Sequence, residues 1–268
     1  DISVTGSIHR RHQQPCSKTK KPKNQKTKNL KPKNPTPKTR NMGNCEQCIV
    51  RQFSSLKALK KEEVIRLADC KTSYTIKKGE TIFEEGEAVN GIYCVKDGVC
   101  KLTKLSQNGK DQIVKLVQKG ELLGQRSMIS EEAANLSAVA LEDMQVCFIP
   151  KSEVMGFFES NNEFSMNVMK TICSNLRESD EIIVNMAQKN MKSRLAHVLI
   201  YLHDTFGTNI EDQSLHIQLS RDEYASMIGT ATESCIRILS EFNKSKLVKL
   251  DGKRISILDY NKLKKIAD

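Results

Sequence analysis

The sequence predicts an α+β chain: an antiparallel β jelly roll, then one long dimerisation helix, then a C-terminal winged helix-turn-helix. Three observations carry this. Alternating apolar runs broken by Asp97-Gly98 and Asn108-Gly109 fill the first half of the chain, and such turns between alternating runs are strong hairpin signals. Residues 164–187 then run without glycine or proline, with apolar residues at three- and four-residue steps. Finally, two short helix patterns meet at Gly229 and precede a hairpin around Asp251-Gly252.

Taken in order, the chain opens on a basic tail. Residues 1–41 carry twelve lysines and arginines against one acid, Asp1. They hold too few apolar residues to build a core, so the tail is expected to be disordered. Patterned sequence starts at Met42, so translation is expected to begin there and the tail not to be native; the other reading is a phosphate-gripping arm. The net charge of +11 belongs to this tail, and the rest of the chain is balanced. Residues 42–55 form a segment carrying Cys45-Glu46-Gln47-Cys48.

A sensor domain is expected over 56–160. Leu56, Leu59, Val64 and Leu67 predict a short amphipathic helix over 56–67. The period then changes to two, with strands at 74–76, 81–83, 91–95, 99–105, 112–117 and 138–149. Short strands with closely spaced turns imply a sandwich or jelly roll.

Residues 161–189 are expected to form the dimerisation helix. Met169, Ile172, Leu176, Ile183 and Met186 form a narrow stripe with a polar gap at Ser179, as in a coiled-coil seam. A parallel homodimer is favoured over a helix lying on its own domain. Residues 190–268 open with a helix over 191–202. Ser220 and Glu223 fit a capping box, and Thr230 with Glu233 repeats the pattern. The strands 247–250 and 254–258 then make the wing.

Composition narrows the function. The 268 residues have room for two domains, and 38% hydrophobic with 28% charged residues suits a globular chain. No run of about 18 apolar residues offers a membrane span, and no apolar stretch near the start looks like a secretory signal. Nine cysteines, mostly inside apolar patterns, fit a reducing compartment, so a cytoplasmic protein is expected. No Ser-His-Asp, HExxH or P-loop pattern is visible, which argues against an enzyme.

Lys78-Gly79-Glu80, Lys119-Gly120-Glu121-Leu122-Leu123-Gly124, Ala138 to Pro150, the helix-turn-helix and the wing occur in one order over residues 42–268. In this ordered set the chain resembles the Crp/Fnr family of bacterial transcription regulators. The resemblance implies a cyclic-nucleotide-binding-type barrel, a dimer helix and a helix-turn-helix that acts on promoters. The expected partners are a palindromic double-stranded operator, a second copy of the chain and RNA polymerase, with no membrane. The alternative is a nucleotide-binding module that regulates something other than DNA.

The resemblance also nominates site residues. Glu121, Leu136, Ser137 and Ser179 fall where cyclic-nucleotide-binding members hold their effector. Leu136 stands in the position of the phosphate-binding arginine, and leucine has no donor for a phosphate; cAMP or cGMP is therefore not expected. Glu121 is read instead as a solvated turn carboxylate. Oxygen-sensing members bind an iron–sulfur cluster through four cysteines. Cys45, Cys48 and Cys147 match three of them, but Ser54 occupies the remaining position. An iron–sulfur cluster, another metal, a thiol switch or no role all stay open, and the effector is unknown.

On the second helix of the motif, Cys235, Ile238, Leu239 and Phe242 fall on the core face. Thr232, Glu233, Ile236 and Arg237 lie opposite as candidate base readers. Ser220, Arg221, Thr230 and Ser234 are candidate phosphate contacts at helix starts. In the family's mode arginine reads guanine and glutamate accepts from cytosine; the plainer possibility is an ordinary Glu–Arg surface pair.

Overall fold

The computed structural model describes residues 45–106 and 109–268. The expectations placed on residues 1–44, the basic tail and the start at Met42 among them, lie outside the described residues.

The sensor part begins with two 3-10 turns, Ile49–Phe53 and Ser55–Ala58, followed by α1 (Lys61–Cys70). A single helix over 56–67 is therefore corrected. Glu63 Oε2 accepts the Lys60 N–H at 2.7 Å, which starts the helix after Leu56 and Leu59. All four apolar positions are nonetheless buried.

Eight strands follow: β1 (Thr72–Ile76), β2 (Thr81–Phe83), β3 (Gly91–Asp97), β4 (Cys100–Leu105), β5 (Asp111–Val117), β6 (Leu122–Leu123), β7 (Ser137–Ala140) and β8 (Met144–Pro150). They form two antiparallel sheets, β1-β8-β3-β6 and β2-β7-β4-β5, which bears out the jelly-roll expectation. The predicted strand over 138–149 is two strands, one in each sheet. Gly98 turns β3 into β4 at φ +86°, where a Cβ would lie 2.7 Å from Met144 Cγ.

Both faces of β3 are covered. Tyr93 and Val95 join the interior of the sandwich, whereas Ile92 and Cys94 join a second core with Leu56, Val64 and Leu67. On β5, Thr103 pairs with Ile113 and Leu102 with Lys115, which leaves Val114 as a bulge. The extra residue breaks the two-residue alternation. Ile113 and Leu116 can then both join the core of the C-terminal part.

Helix α2 (Gln125–Ser130) and α3 (Lys151–Ser160) complete the barrel; both are short and escape periodicity. The long helix α4 (Asn162–Gln188) is capped by Asn161, whose Oδ1 accepts the Phe164 N–H at 3.0 Å. On α4 only Phe164 and Val168 are buried. Along its stripe Met169, Leu176 and Ile183 are 52, 61 and 65% exposed, while Ile172 and Met186 are half-buried.

Helix α5 (Met191–Phe206) runs past the expected end at 202 and stops at Gly207, where φ is +75°. Then come α6 (Arg221–Ile228), α7 (Thr232–Lys244), the hairpin β9 (Val248–Asp251) and β10 (Arg254–Ile257), and α8 (Tyr260–Ala267). The helix-turn-helix and wing are present as expected. Among the described residues no helix is long and apolar enough to cross a membrane.

Candidate DNA-reading surface and effector cleft

The sequence of α6 and α7 sets their ends and faces. Ser220 Oγ accepts the Glu223 N–H at 3.2 Å and Glu223 Oε2 accepts the Ser220 N–H at 2.8 Å, a complete capping box. Gly229, with φ +62°, ends α6. The second capping box is corrected. Ala231 precedes α7 without a side-chain bond, because Thr230 donates its hydroxyl to Met191 Sδ at 2.9 Å.

On α7, Cys235, Ile238, Leu239 and Phe242 are 0, 5, 1 and 0% exposed. Burying side chains of this kind stabilises the helix by roughly 1.5–3 kcal/mol each. The opposite face presents Glu233, Ile236, Arg237 and Ser240, all exposed. Glu233 and Arg237 form no ion pair with a described residue, so neither is occupied by the surface pairing considered above. Thr232 is placed differently: its hydroxyl donates to Asp222 Oδ1 at 2.6 Å and ties α7 to α6.

The four candidate phosphate contacts also divide. Ser234 is half-buried at the start of α7. Ser220 spends its lone pair on the cap but keeps a hydroxyl proton. Arg221 reaches across to the wing and donates from Nη2 to Gly252 O at 2.8 Å. Thr230 faces Met191. The wing itself adds Lys249, Lys253 and Arg254, and residues 230–268 hold nine basic against five acidic residues, a modest positive bias of the kind that attracts a phosphate backbone.

A cleft of about 750 Å3 lies between the barrel, α4 and α5. Glu121, Leu136 and Ser179 line it together, whereas Ser137 does not, because its Oγ accepts the Glu85 N–H at 2.9 Å. Glu121 is committed locally: Oε2 accepts the Gln118 N–H at 2.8 Å and Oε1 lies 3.0 Å from Lys115 Nζ. Ser179 bonds back to Asn175 O at 2.9 Å. Among the polar groups that sequence reasoning missed are Lys115, Gln125, Arg126 and Arg194. Gln125 and Arg126 follow Gly124 at the head of α2, a glycine-then-helix signal visible in the sequence. Burial acts to lower the Lys115 pKa, but the Glu121 and Glu178 carboxylates beside it hold it above the usual lysine value. His197, also lining the cleft, is pushed below the usual histidine value by burial and by Lys189.

Cys45, Cys94, Cys48 and Cys147 share one apolar neighbourhood. Cys94 and Cys147 are direct cross-strand partners on β3 and β8. Burial acts to lower the Lys71 pKa, but Cys45 beside it holds it above the usual lysine value, and burial pushes the Cys94 thiol up to about 12. Ser54 does not join the thiols: its hydroxyl caps Leu56 N–H at 3.3 Å and donates to Arg51 O at 3.0 Å. Among the described residues no three His, Cys, Asp or Glu side chains converge to hold a metal ion. In this arrangement the described side chains do not converge as the four thiolates of a cluster would.

Residues 74–161 match the model of the cyclic nucleotide-binding domain, and residues 193–266 match that of the Crp-like helix-turn-helix domain. The chain is 26% identical over 221 residues to the transcriptional activator protein Anr of Pseudomonas protegens, covering 82% of this chain and 90% of that one. It is 24% identical over 226 residues to the fumarate and nitrate reduction regulatory protein of Escherichia coli, covering 84% and 90%. In three dimensions it resembles FixK2 from Bradyrhizobium japonicum, with a TM-score of 0.66 at 20% identity, covering 74% of this chain and 98% of that chain. That last likeness speaks to fold alone.

Proposed function

The chain belongs to the Crp/Fnr family of DNA-binding transcription regulators, and on that premise we propose that it acts as a homodimer on a two-fold symmetric operator. The observation that carries this reading is the free pair Glu233 and Arg237 on α7, one turn apart and opposite a fully packed face. Arginine suits the O6 and N7 acceptors of guanine, and glutamate accepts from the amino group of cytosine. Ile236, 45% exposed between them, suits a thymine methyl group.

The exposed stripe of α4 supports the dimer, since about three such apolar side chains in water are costly unless a second copy covers them. RNA polymerase is the expected partner at the promoter, and the cytoplasm is where such a regulator meets the chromosome. Selection from random duplexes, followed by footprinting, tests the reading. Two inverted half-sites about 34 Å apart are expected; failure to enrich any inverted repeat rejects it.

The cleft is the better supported place for a signal, because it is walled by both α4 and α5. The thiols Cys45, Cys48 and Cys147 are the second. Metal analysis of anaerobically purified protein and of Cys48→Ser, with DNA binding measured before and after oxidant, decides between them: stoichiometric metal lost in the variant or oxidant-sensitive binding favours the thiols, and metal-free protein with oxidant-insensitive binding favours the cleft.

A further inference from the structure

Two of the buried thiols are held opposite each other by the sheet itself. Cys94 on β3 and Cys147 on β8 are paired in register, and Ile92 with Ile149, two places along, keeps the same register. Directly opposed residues of an antiparallel pair project to one face. Both thiols accordingly pack into the core that also holds Cys45 and Cys48, and both are free. Cys147 pairs on its other side with Ser73 of β1, whose Oγ lies 3.7 Å from Cys147 Sγ. Ser73, Cys147 and Cys94 thus form one row across three strands.

Backbone bonding sets the spacing of the cysteine pair. The Lys151 N–H donates to Asn90 O at 2.9 Å, which turns Asn90 toward β8. Val95 turns the other way, donating to Glu121 O at 3.0 Å and accepting the Gly120 N–H at 2.9 Å. Alternation therefore turns Cys94 toward β8, and it forms a hydrogen-bonded pair with Cys147. The Cα atoms of such a pair lie about 5.5 Å apart, and disulfides most often span about 5.5–6 Å. The Cβ atoms start about 5.5 Å apart and must close to about 3.8 Å, which draws β3 toward β8. The strands run close already: a Cβ added at Gly91 would lie 2.2 Å from Ile149 O. A bond closed in this way is strained, and strained disulfides are the readily reduced ones.

Access differs between the two sulfurs. Cys94 is 6% exposed, whereas Cys147 is half-buried. β1 is the edge strand of the sheet, and Ser73 on it is half-buried as well. A small oxidant arriving from that edge meets Cys147 first, beside a hydroxyl that can donate to its thiolate. Cys94 stands behind it, shielded from the oxidant but aligned with the sulfur that has reacted.

We propose that Cys147 and Cys94 are a modification site for peroxides, which convert the pair to a reversible cross-strand disulfide. The Cys147 thiolate attacks one oxygen of hydrogen peroxide and the O–O bond breaks. The leaving hydroxide takes up the proton that Cys147 gave up and departs as water, so Cys147 becomes a sulfenic acid. The Cys94 sulfur then attacks the Cys147 sulfur and the S–O bond breaks. That hydroxide takes the Cys94 proton and leaves as the second water. The two thiols lose two electrons, and one peroxide is reduced to two waters. A dithiol reverses the bond by exchange. The site asks nothing of the operator reading.

Reduced full-length protein is treated with hydrogen peroxide, raised until the exposed thiol of Cys173 is oxidised. It is then unfolded in iodoacetamide and digested with trypsin, which places Cys94, Cys147 and the Cys45–Cys48 pair on separate peptides. The expected product is the Cys94 peptide joined to the Cys147 peptide, parted again by dithiothreitol. With Cys94→Ala the sulfenic acid on Cys147 has no partner across the ladder. Dimedone should then trap about tenfold more of it than in the wild type. Cys147 joined instead to Cys45 or Cys48 overturns the proposal, as do Cys94 and Cys147 both alkylated after Cys173 has reacted. Equal dimedone labelling of Cys147 in the wild type and in Cys94→Ala overturns it too.

Discussion

Asn161 donates its side-chain amide to Glu63 Oε2 at 2.7 Å, which joins the first turn of α4 to the first turn of α1. The same amide donates to Ala58 O at 2.9 Å, and Asn161 is only 3% exposed. Asn161→Ala removes a helix cap and strands buried partners, so it should lower stability by about 2 kcal/mol or more. A thermal melt with a loss within error of zero would contradict this. The bond also sets a pH dependence. Burial acts to raise the Glu63 pKa, but bonds from the Lys60 N–H, Asn161 and Ser160 hold it below 4.5. A depressed carboxyl stabilises fully above its unfolded value and loses that contribution as pH falls through the folded value. The stability gap between wild type and Glu63→Gln should therefore narrow in acid below pH 4.5.

The stripe of α4 gives the second prediction. Leu176 and Ile183 are exposed in the single chain, so Leu176→Asp with Ile183→Asp should change association and not folding. Sedimentation should report a monomer with an unchanged circular dichroism spectrum. A mass equal to that of the wild type would move the dimer contact off this helix.

Arg237 gives the third. A bidentate contact to guanine is worth about 1–3 kcal/mol of discrimination, and a symmetric dimer makes it twice. Arg237→Ala should weaken operator binding by roughly 2–6 kcal/mol if the half-sites add, while binding to scrambled DNA changes far less. Equal losses on both duplexes would make Arg237 a phosphate contact. No loss on either would put the reading face elsewhere.

The fourth concerns nucleotides. With Leu136 in the cleft and Glu121 engaged by Gln118 and Lys115, calorimetric titration with cAMP should show no saturable binding at micromolar nucleotide. Saturable binding abolished in Arg126→Ala would show that a guanidinium from α2 serves in place of the missing one.

Burial was the most legible property in the sequence, and side-chain bonding the least. Cys235, Ile238, Leu239 and Phe242 fall on the core face that spacing alone assigns, because a helix converts sequence spacing directly into direction. Leu56 and Leu59 are buried although they precede α1, since a 3-10 turn and a helix turn can cover the same surface. Thr230 and Thr232 show the other side. Both look like helix-start residues, yet one hydroxyl goes to Met191 Sδ and the other to Asp222. Those partners lie 39 and 10 positions away, beyond what local pattern can see. The cleft was half legible for the same reason: Glu121 and Ser179 could be placed on it, but the bonds that occupy Glu121 and turn Ser137 away are set by tertiary contacts.

Because β3 is covered on both sides, it works as a party wall between two rooms of the barrel. Cys94 and Ile92 face one room, and Tyr93 and Val95, the next residues along, face the other. Side chains at those positions have nowhere to yield, since packed interiors are near crystal density and transmit strain rather than absorb it. Adding bulk at Cys94, whether by mutation or by thiol chemistry, must therefore displace the wall itself. The N-terminal segment around Cys45 and the sandwich interior thus stand one backbone apart, and a disturbance in either room is felt in its neighbour.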